Sequence, residues 1–202
     1  EWEVVHKGAF HMAETKYEFT IIKEKNNKLD FDLYCVDINS LLDREKIYGY
    51  DDDTERFTAF QIAVLEWLGK WQHQPNIVHV HDHHAALIPF MMKHCFAYSN
   101  LAHIPTVLTI HNAQYQGWMG WEKSPYIPAW DTWKWGMLDW SNTINPLASG
   151  IKCAHKVTTV SPGYMQELMD SANGLEGLFR QEWAKCSGIL NGIDYEVWNP
   201  ET

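Results

Sequence analysis

The sequence predicts an α/β fold built on a parallel sheet, and three observations carry that prediction. A strand–helix–strand series runs through the middle of the chain, and two β-rich segments precede it. A long aromatic insertion then leaves the carboxyl end of the second central strand. The 202 residues suffice for one domain with a sizeable core. Hydrophobic residues make up 46% and charged residues 21%, which excludes disordered and low-complexity chains.

Each element follows from local pattern. Tyr17 to Ile22 and Leu29 to Val36 are β-rich, and Lys25-Asn26-Asn27-Lys28 between them has the amides of a hairpin turn. The acidic run Asp51-Asp52-Asp53 before Thr54 then sits where the positive end of a helix dipole favours it. Phe57, Phe60, Ile62, Ala63, Val64, Leu65, Trp67 and Leu68 follow as the apolar positions of a mostly buried helix. Asn76 to His81, after Pro75, is a short β-branched run. Ala85 to Tyr98 reads as one helix, and Thr106 to Ile110, after Pro105, as a second buried strand. Together they form a βαβ unit, which requires a parallel sheet and a right-handed crossover. A strand at Lys156 to Val160 and a helix from about Tyr164 to Ser171 come next. Gly188-Ile189-Leu190 then leads into Asn191-Gly192. Neither an internal repeat nor a Ser/Gly linker interrupts the series, so residues 1–202 read as a single domain.

Composition narrows the partners. The net charge is −10, from 26 acidic residues against 16 Lys plus Arg, so neither nucleic acid nor an anionic membrane surface is expected as partner. No apolar run reaches the roughly 18 residues of a membrane span. Glu1-Trp2-Glu3 does not open a secretory signal, and the absence of an initiator Met suggests a piece of a longer protein. Cys35, Cys95, Cys153 and Cys186 lie far apart with no C-x-x-C pair, as expected of reduced thiols in a cytoplasmic protein. The 11 tryptophans suit either a carbohydrate surface or a Trp-heavy core.

Two segments carry candidate chemistry. His79-Val80-His81-Asp82-His83-His84 has the ligand types of a zinc site, although the Asp stands one position early for the H-x-H-x-D-H pattern of metallo-hydrolases. A second reading packs His79 inside the sheet and leaves Asp82 to cap the following helix. A third places Asp82 at the mouth of a sugar cleft, gripping hydroxyls through charge-assisted hydrogen bonds. Thr109-Ile110-His111-Asn112-Ala113-Gln114-Tyr115-Gln116-Gly117 supplies an imidazole, amides, a phenol and a glycine at a strand end. Open α/β sheets place their ligands at such ends. Hydroxyl-rich substrates need such donor–acceptor groups with aromatic faces beside them. The insertion from Asn112 to Asp139 is long enough to be functional or partly helical, and Trp130, Trp133, Trp135 and Trp140 suit loop anchors as well as glucan platforms. Asp51 to Glu55 reads as a solvated helix start rather than a cation site. Ser161-Pro162-Gly163 reads as a helix start where backbone N–H groups would take any phosphate.

With these motifs in order, the chain resembles the bacterial glycogen synthases and plant starch synthases. The resemblance runs from Tyr34 to Pro200. It rests on Tyr50-Asp51-Asp52-Asp53 with Arg56-Phe57, the His79–His84 run, Thr109–Asn112 with Tyr115-Gln116-Gly117, Val157–Pro162, and Gly188–Asp194 followed by Trp198-Asn199-Pro200. It implies a GT-B glycosyltransferase with two Rossmann-like domains facing a cleft. This chain would form most of the N-terminal one, behind a β-hairpin region. The implied reaction transfers glucose from ADP-glucose to the 4-hydroxyl of an α-1,4-glucan, with retention and with no metal or other cofactor. His111 and Asp82 match the family residues beside the donor glucose. Tyr50, Asn112, Tyr115, Gln116 and Gly117 are the implied substrate-binding positions. His83 stands where the family usually has Trp. The family's Lys-x-Gly-Gly loop and second domain are not in this chain, so the piece alone is expected to be inactive. Two other readings stay open: a metal-dependent hydrolase on His79–His84, and a non-catalytic glucan-binding module on the Trp-rich loop.

Overall fold

The computed structural model describes residues 1–26 and 29–201. An antiparallel sheet of three strands opens the chain: β1 (Trp2–Met12), β2 (Thr15–Glu24) and β3 (Tyr34–Asp37), in that order. The whole of β1 was absent from the sequence expectation, because its first half is exposed and mixes charge with apolar residues. Only toward its end does alternation bury Phe10 and Met12. Met12 pairs with Thr15 across a two-residue turn, and Ala13 takes the positive φ (51°) that such turns require. The expected strand from Leu29 begins instead at Tyr34. Asp30 adopts a left-handed φ of 56°, which extended pairing does not tolerate. The turn expected at Lys25–Lys28 includes Asn27 and Lys28, which lie outside the described residues.

Helix α1 (Asp53–Leu68) forms where the apolar run predicted it, with Asp53 and Glu55 in its first turn, and it packs on β1 and β3. The parallel sheet follows, ordered β4 (Val78–His81), β5 (Thr106–Ile110), β8 (Lys156–Thr159) and β9 (Cys186–Gly188). Alternation along β5 buries Thr106, Leu108 and Ile110, and Leu108 and Ile110 are wholly enclosed.

The single helix expected from Ala85 to Tyr98 is three pieces: α2 (Asp82–Ala85), α3 (Ile88–His94) and a 3-10 segment at Phe96–Leu101. Pro89, near the start of α3, has no N–H to donate back to the preceding turn, so a new helix starts there instead of α2 continuing. The aromatic insertion is partly helical, with 3-10 turns at Trp121–Tyr126 and Thr132–Met137, and the short pair β6 (Asp139–Trp140) and β7 (Thr143–Ile144) closes it. Helices α4 (Pro146–Cys153), α5 (Pro162–Asp170) and α6 (Glu176–Gln181) complete the core, with α5 packed on β8 and β9. Ser161 caps α5 by accepting from Tyr164 N (2.9 Å), the expected helix start. Among the described residues no helix is long and apolar enough to cross a membrane.

Candidate functional site

The site grows from the carboxyl ends of β4 and β5, neighbours in register from Val78↔Thr106 to His81↔Thr109. Side chains two apart on a strand share a face. His79 and His81 therefore project together, with their rings stacked at 4.4 Å. His79 is exposed rather than packed inside the sheet, and its Nε2 hydrogen-bonds Thr109 Oγ1 (2.7 Å). Thr109 Oγ1 in turn bonds Thr158 Oγ1 on β8 (2.6 Å).

At the next position the chain must leave the strand and turn into α2. Asp82 makes the turn with φ +54°, a left-handed conformation that aspartate tolerates better than most residues. Its carboxylate does not cap α2, which has no side-chain cap. Asp82 Oδ1 instead accepts from the backbone N–H of His111 (2.8 Å), the first residue beyond β5. The two residues expected to do chemistry are thus bonded to each other across the strand ends. His81 Nδ1 lies 3.0 Å from His111 Nε2 and engages the same ring from the other strand. Partial burial, then the imidazoles of His79 and His111, hold His81 below the ordinary histidine value, against the opposing pull of Asp82. Among the described residues no three His, Cys, Asp or Glu side chains converge as metal ligands. The imidazoles pair with each other and with Thr109 instead.

Beside this cluster opens an aromatic groove of about 300 Å³, lined by Tyr48, Phe57, His83, His84, Tyr115 and Trp118 among others. Phe57 meets His84 edge-on at 4.4 Å, and the His83 and His84 rings lie 3.8 Å apart. Burial, with help from His84, pushes His83 down to about 4, although Asp82, the Tyr115 backbone and Asp53 pull the other way. Burial likewise lowers His84. Both rings are therefore neutral at pH 7. Gly117 holds φ +69° against His83: a Cβ there would stand 2.6 Å from His83 Cδ2, so only glycine lets the loop lie on that ring.

The remaining expected residues separate into two groups. Tyr115 is exposed and lines the groove with Gly117, and exposed Asn112 accepts from Gln114 N (2.9 Å) to form the turn after His111. Gln116 is buried, and its amide bonds Ala113 O, Asn173 O and Asn145 Nδ2, which ties the insertion to the core. The Tyr50 ring lies between the Arg44 and Arg56 guanidiniums (5.1 and 4.8 Å), and its hydroxyl accepts from Lys46 N. The tyrosine that reaches the groove is Tyr48, two positions earlier.

Sequence reasoning also passed over the groove-forming roles of Arg56, Phe57 and His84. Arg56 is only 2% exposed and donates to Leu41 O, Ile47 O and Asp53 Oδ1, pinning the loop that carries Tyr48. Asp53 answers by accepting from Gly49 N and Tyr50 N. These contacts hold its carboxyl below the usual range, although burial alone would raise it. An Arg on the buried face of a predicted helix was the available signal. Of the insertion tryptophans, Trp130 packs on Phe90 and Trp140 donates to Gly174 O, whereas Trp133 is 91% exposed.

Comparison with known proteins fits this geometry. A family model described as starch synthase catalytic domain matches residues 2–181. Glycogen synthase of Flavobacterium johnsoniae is 49% identical over 199 residues, 98% of this chain and 42% of that protein. Glycogen synthase of Streptococcus mutans is 39% identical over 180 residues, 85% of this chain and 37% of that protein. The catalytic domain of starch synthase IV from Arabidopsis thaliana, solved bound to ADP and acarbose, superposes with a TM-score of 0.86 at 26% identity. That alignment covers all of this chain and 43% of that one. The chain therefore spans less than half the length of these relatives. By sequence and by fold, it belongs to the starch synthase catalytic domain family.

Proposed function

We propose that this chain is one domain, most of the N-terminal half, of a retaining GT-B glucosyltransferase. That enzyme would move glucose from ADP-glucose to the 4-hydroxyl end of an α-1,4-glucan in the cytoplasm. The observation that carries the reading is the Asp82–His111 bond at the ends of β4 and β5, opening beside an aromatic groove. Departure of a nucleoside diphosphate leaves positive character at the anomeric carbon. Polar groups already fixed around that carbon stabilise the transition state more than the ground state, and this difference supplies rate. Asp82 acts in this reading through His111 and through its charge, not as a nucleophile. The groove suits a glucan acceptor, because flat rings cover the apolar faces of pyranoses while Tyr48 and Tyr115 offer hydroxyls at its rim.

The ADP and acarbose of the Arabidopsis neighbour support a sugar nucleotide and an α-glucan as substrates. The chain spans less than half the length of these relatives, and its net charge of −10 is consistent with a diphosphate grip supplied by the rest of the enzyme, so we expect the 202 residues alone to transfer no glucose. The hydrolase reading gains nothing from imidazoles that bond one another. Transfer of labelled glucose to glycogen by the full-length enzyme, with and without chelator, tests the proposal. Chelator-resistant incorporation from ADP-glucose is the expected result. No incorporation from ADP- or UDP-glucose would overturn it, and loss of activity with chelator alone would restore the metal reading.

A further inference from the structure

The transfer reaction as read above gives His81 no task, yet its ring contacts both of the other strand-end imidazoles. One face stacks on His79 at 4.4 Å, and Thr109, itself bonded to Thr158, holds that ring in place. On its other side His81 Nδ1 meets His111 Nε2 at 3.0 Å. His111 is therefore fixed at two points from β4 and its exit: the backbone N–H by Asp82 and the ring by His81. His111 Nδ1 is the nitrogen that His81 does not engage.

The bond has a chemical consequence. A hydrogen bond between two neutral imidazoles needs one donating and one accepting nitrogen. Whichever role His111 Nε2 takes decides whether Nδ1 carries a hydrogen. Partial burial, then the two flanking imidazoles, hold His81 below the ordinary histidine value against the pull of Asp82, so it enters this bond as a neutral ring with one donating and one accepting nitrogen.

We propose that His81 is a positioning residue that locks the ring of His111 in one orientation and one tautomer, so that Nδ1 presents a single hydrogen-bonding character to the glucosyl group. The inference rests on the transferase reading for its consequence but not for its geometry. A polar group misplaced by a rotated ring costs up to roughly a hundredfold in rate.

The test uses the full-length protein labelled with 15N-histidine, in which long-range proton–nitrogen correlations report each ring's tautomer. A His111→Gln variant assigns the signal. Wild type is expected to show one His111 tautomer. His81→Phe keeps a flat ring but no Nδ1, and is expected to show two tautomers in exchange. His81→Asn places an amide near the Nδ1 position and is expected to restore one. In parallel, kcat for glucose transfer is expected to fall about tenfold or more in His81→Phe, with glucan KM nearly unchanged, and to recover in His81→Asn. A mixed His111 signal in wild type, or an unchanged one in His81→Phe, overturns the proposal. So does an unchanged kcat in His81→Phe. A wild-type protein that transfers no glucose overturns the preceding subsection instead, and the tautomer spectrum still decides this one.

Discussion

The strand-end cluster and the aromatic groove meet at Asp82-His83 but are built by opposite means. The cluster hangs on adjacent parallel strands, where register brings His79, His81, Thr109 and His111 together through hydrogen bonds of 2.6–3.0 Å. The groove is assembled from separate segments between Tyr48 and Pro146: rings meeting edge-on form its surface, while the Arg56 hydrogen bonds hold the Tyr48 loop from behind. Directional bonds on rigid strands fix orientation, which chemistry demands. Ring packing tolerates small displacements, which suits holding a long and variable chain. The two regions should therefore fail differently when mutated.

The largest effect is expected at the cluster. His111→Ala in the full-length enzyme should lower kcat about a hundredfold or more while leaving glucan KM and the melting temperature nearly unchanged. Asp82→Asn keeps an acceptor for the His111 N–H and tolerates the left-handed φ, so it separates geometry from charge. It should retain more activity than Asp82→Ala, which loses the bond and strains the turn. Equal losses in the two Asp82 variants would show that the charge, and not the bond to His111, carries the effect.

A smaller effect is expected at the groove. Tyr48→Ala should raise the KM for maltooligosaccharides about tenfold, the loss of roughly 1–1.5 kcal/mol of aromatic contact, with kcat held. Tyr50→Ala should act otherwise. Its ring lies between Arg44 and Arg56, so removing it loosens the loop and lowers stability as well as affinity. A fall in kcat for Tyr48→Ala, with KM unchanged, would erase the division between the two regions.

That division also explains what was legible in the sequence. The cluster was readable because β-branched runs bounded by prolines mark β4 and β5, and parallel pairing then brings their ends together. Asp82 and His111 stand at those ends, but it was the resemblance to the synthases that singled them out, since the pattern alone left Asp82 open as a helix cap, a metal ligand or a cleft carboxylate; their bond then needed only the register. The groove was not readable, because no local pattern says that Tyr48 rather than Tyr50 faces Phe57 and Tyr115. Arg56 decides it by drawing in the carbonyls of Leu41 and Ile47, a choice made by tertiary packing. The same limit hid Gln116. An amide beside a candidate histidine looks like a ligand-binding group until Asn145, Ala113 and Asn173 occupy it. β1 escaped for a different reason: most of its length is exposed, so burial imposes no alternation there.

The smallest predicted effect falls where the two regions join. His83 is neutral in the folded chain, with its titration pushed from 6.5 down to about 4 by burial and by His84. The unfolded chain binds that proton near 6.5, so folding opposes protonation. The stabilisation is fully present above pH 6.5 and is lost as pH falls from there toward 4. Allowing for the ring's partial exposure, the loss is about 2 kcal/mol. Urea unfolding at pH 7.5 and pH 4.5 should show it as a difference between wild type and His83→Phe. The variant keeps an aromatic ring against Gly117 but has no proton to gain, so it should lose less stability over this interval. His81 and His84 are shifted in the same direction in both proteins, so their contributions cancel in that difference. If the two proteins lose equal stability, His83 is solvated enough to charge without cost. The groove would then be a wet, polar extension of the strand-end cluster rather than a separate aromatic surface.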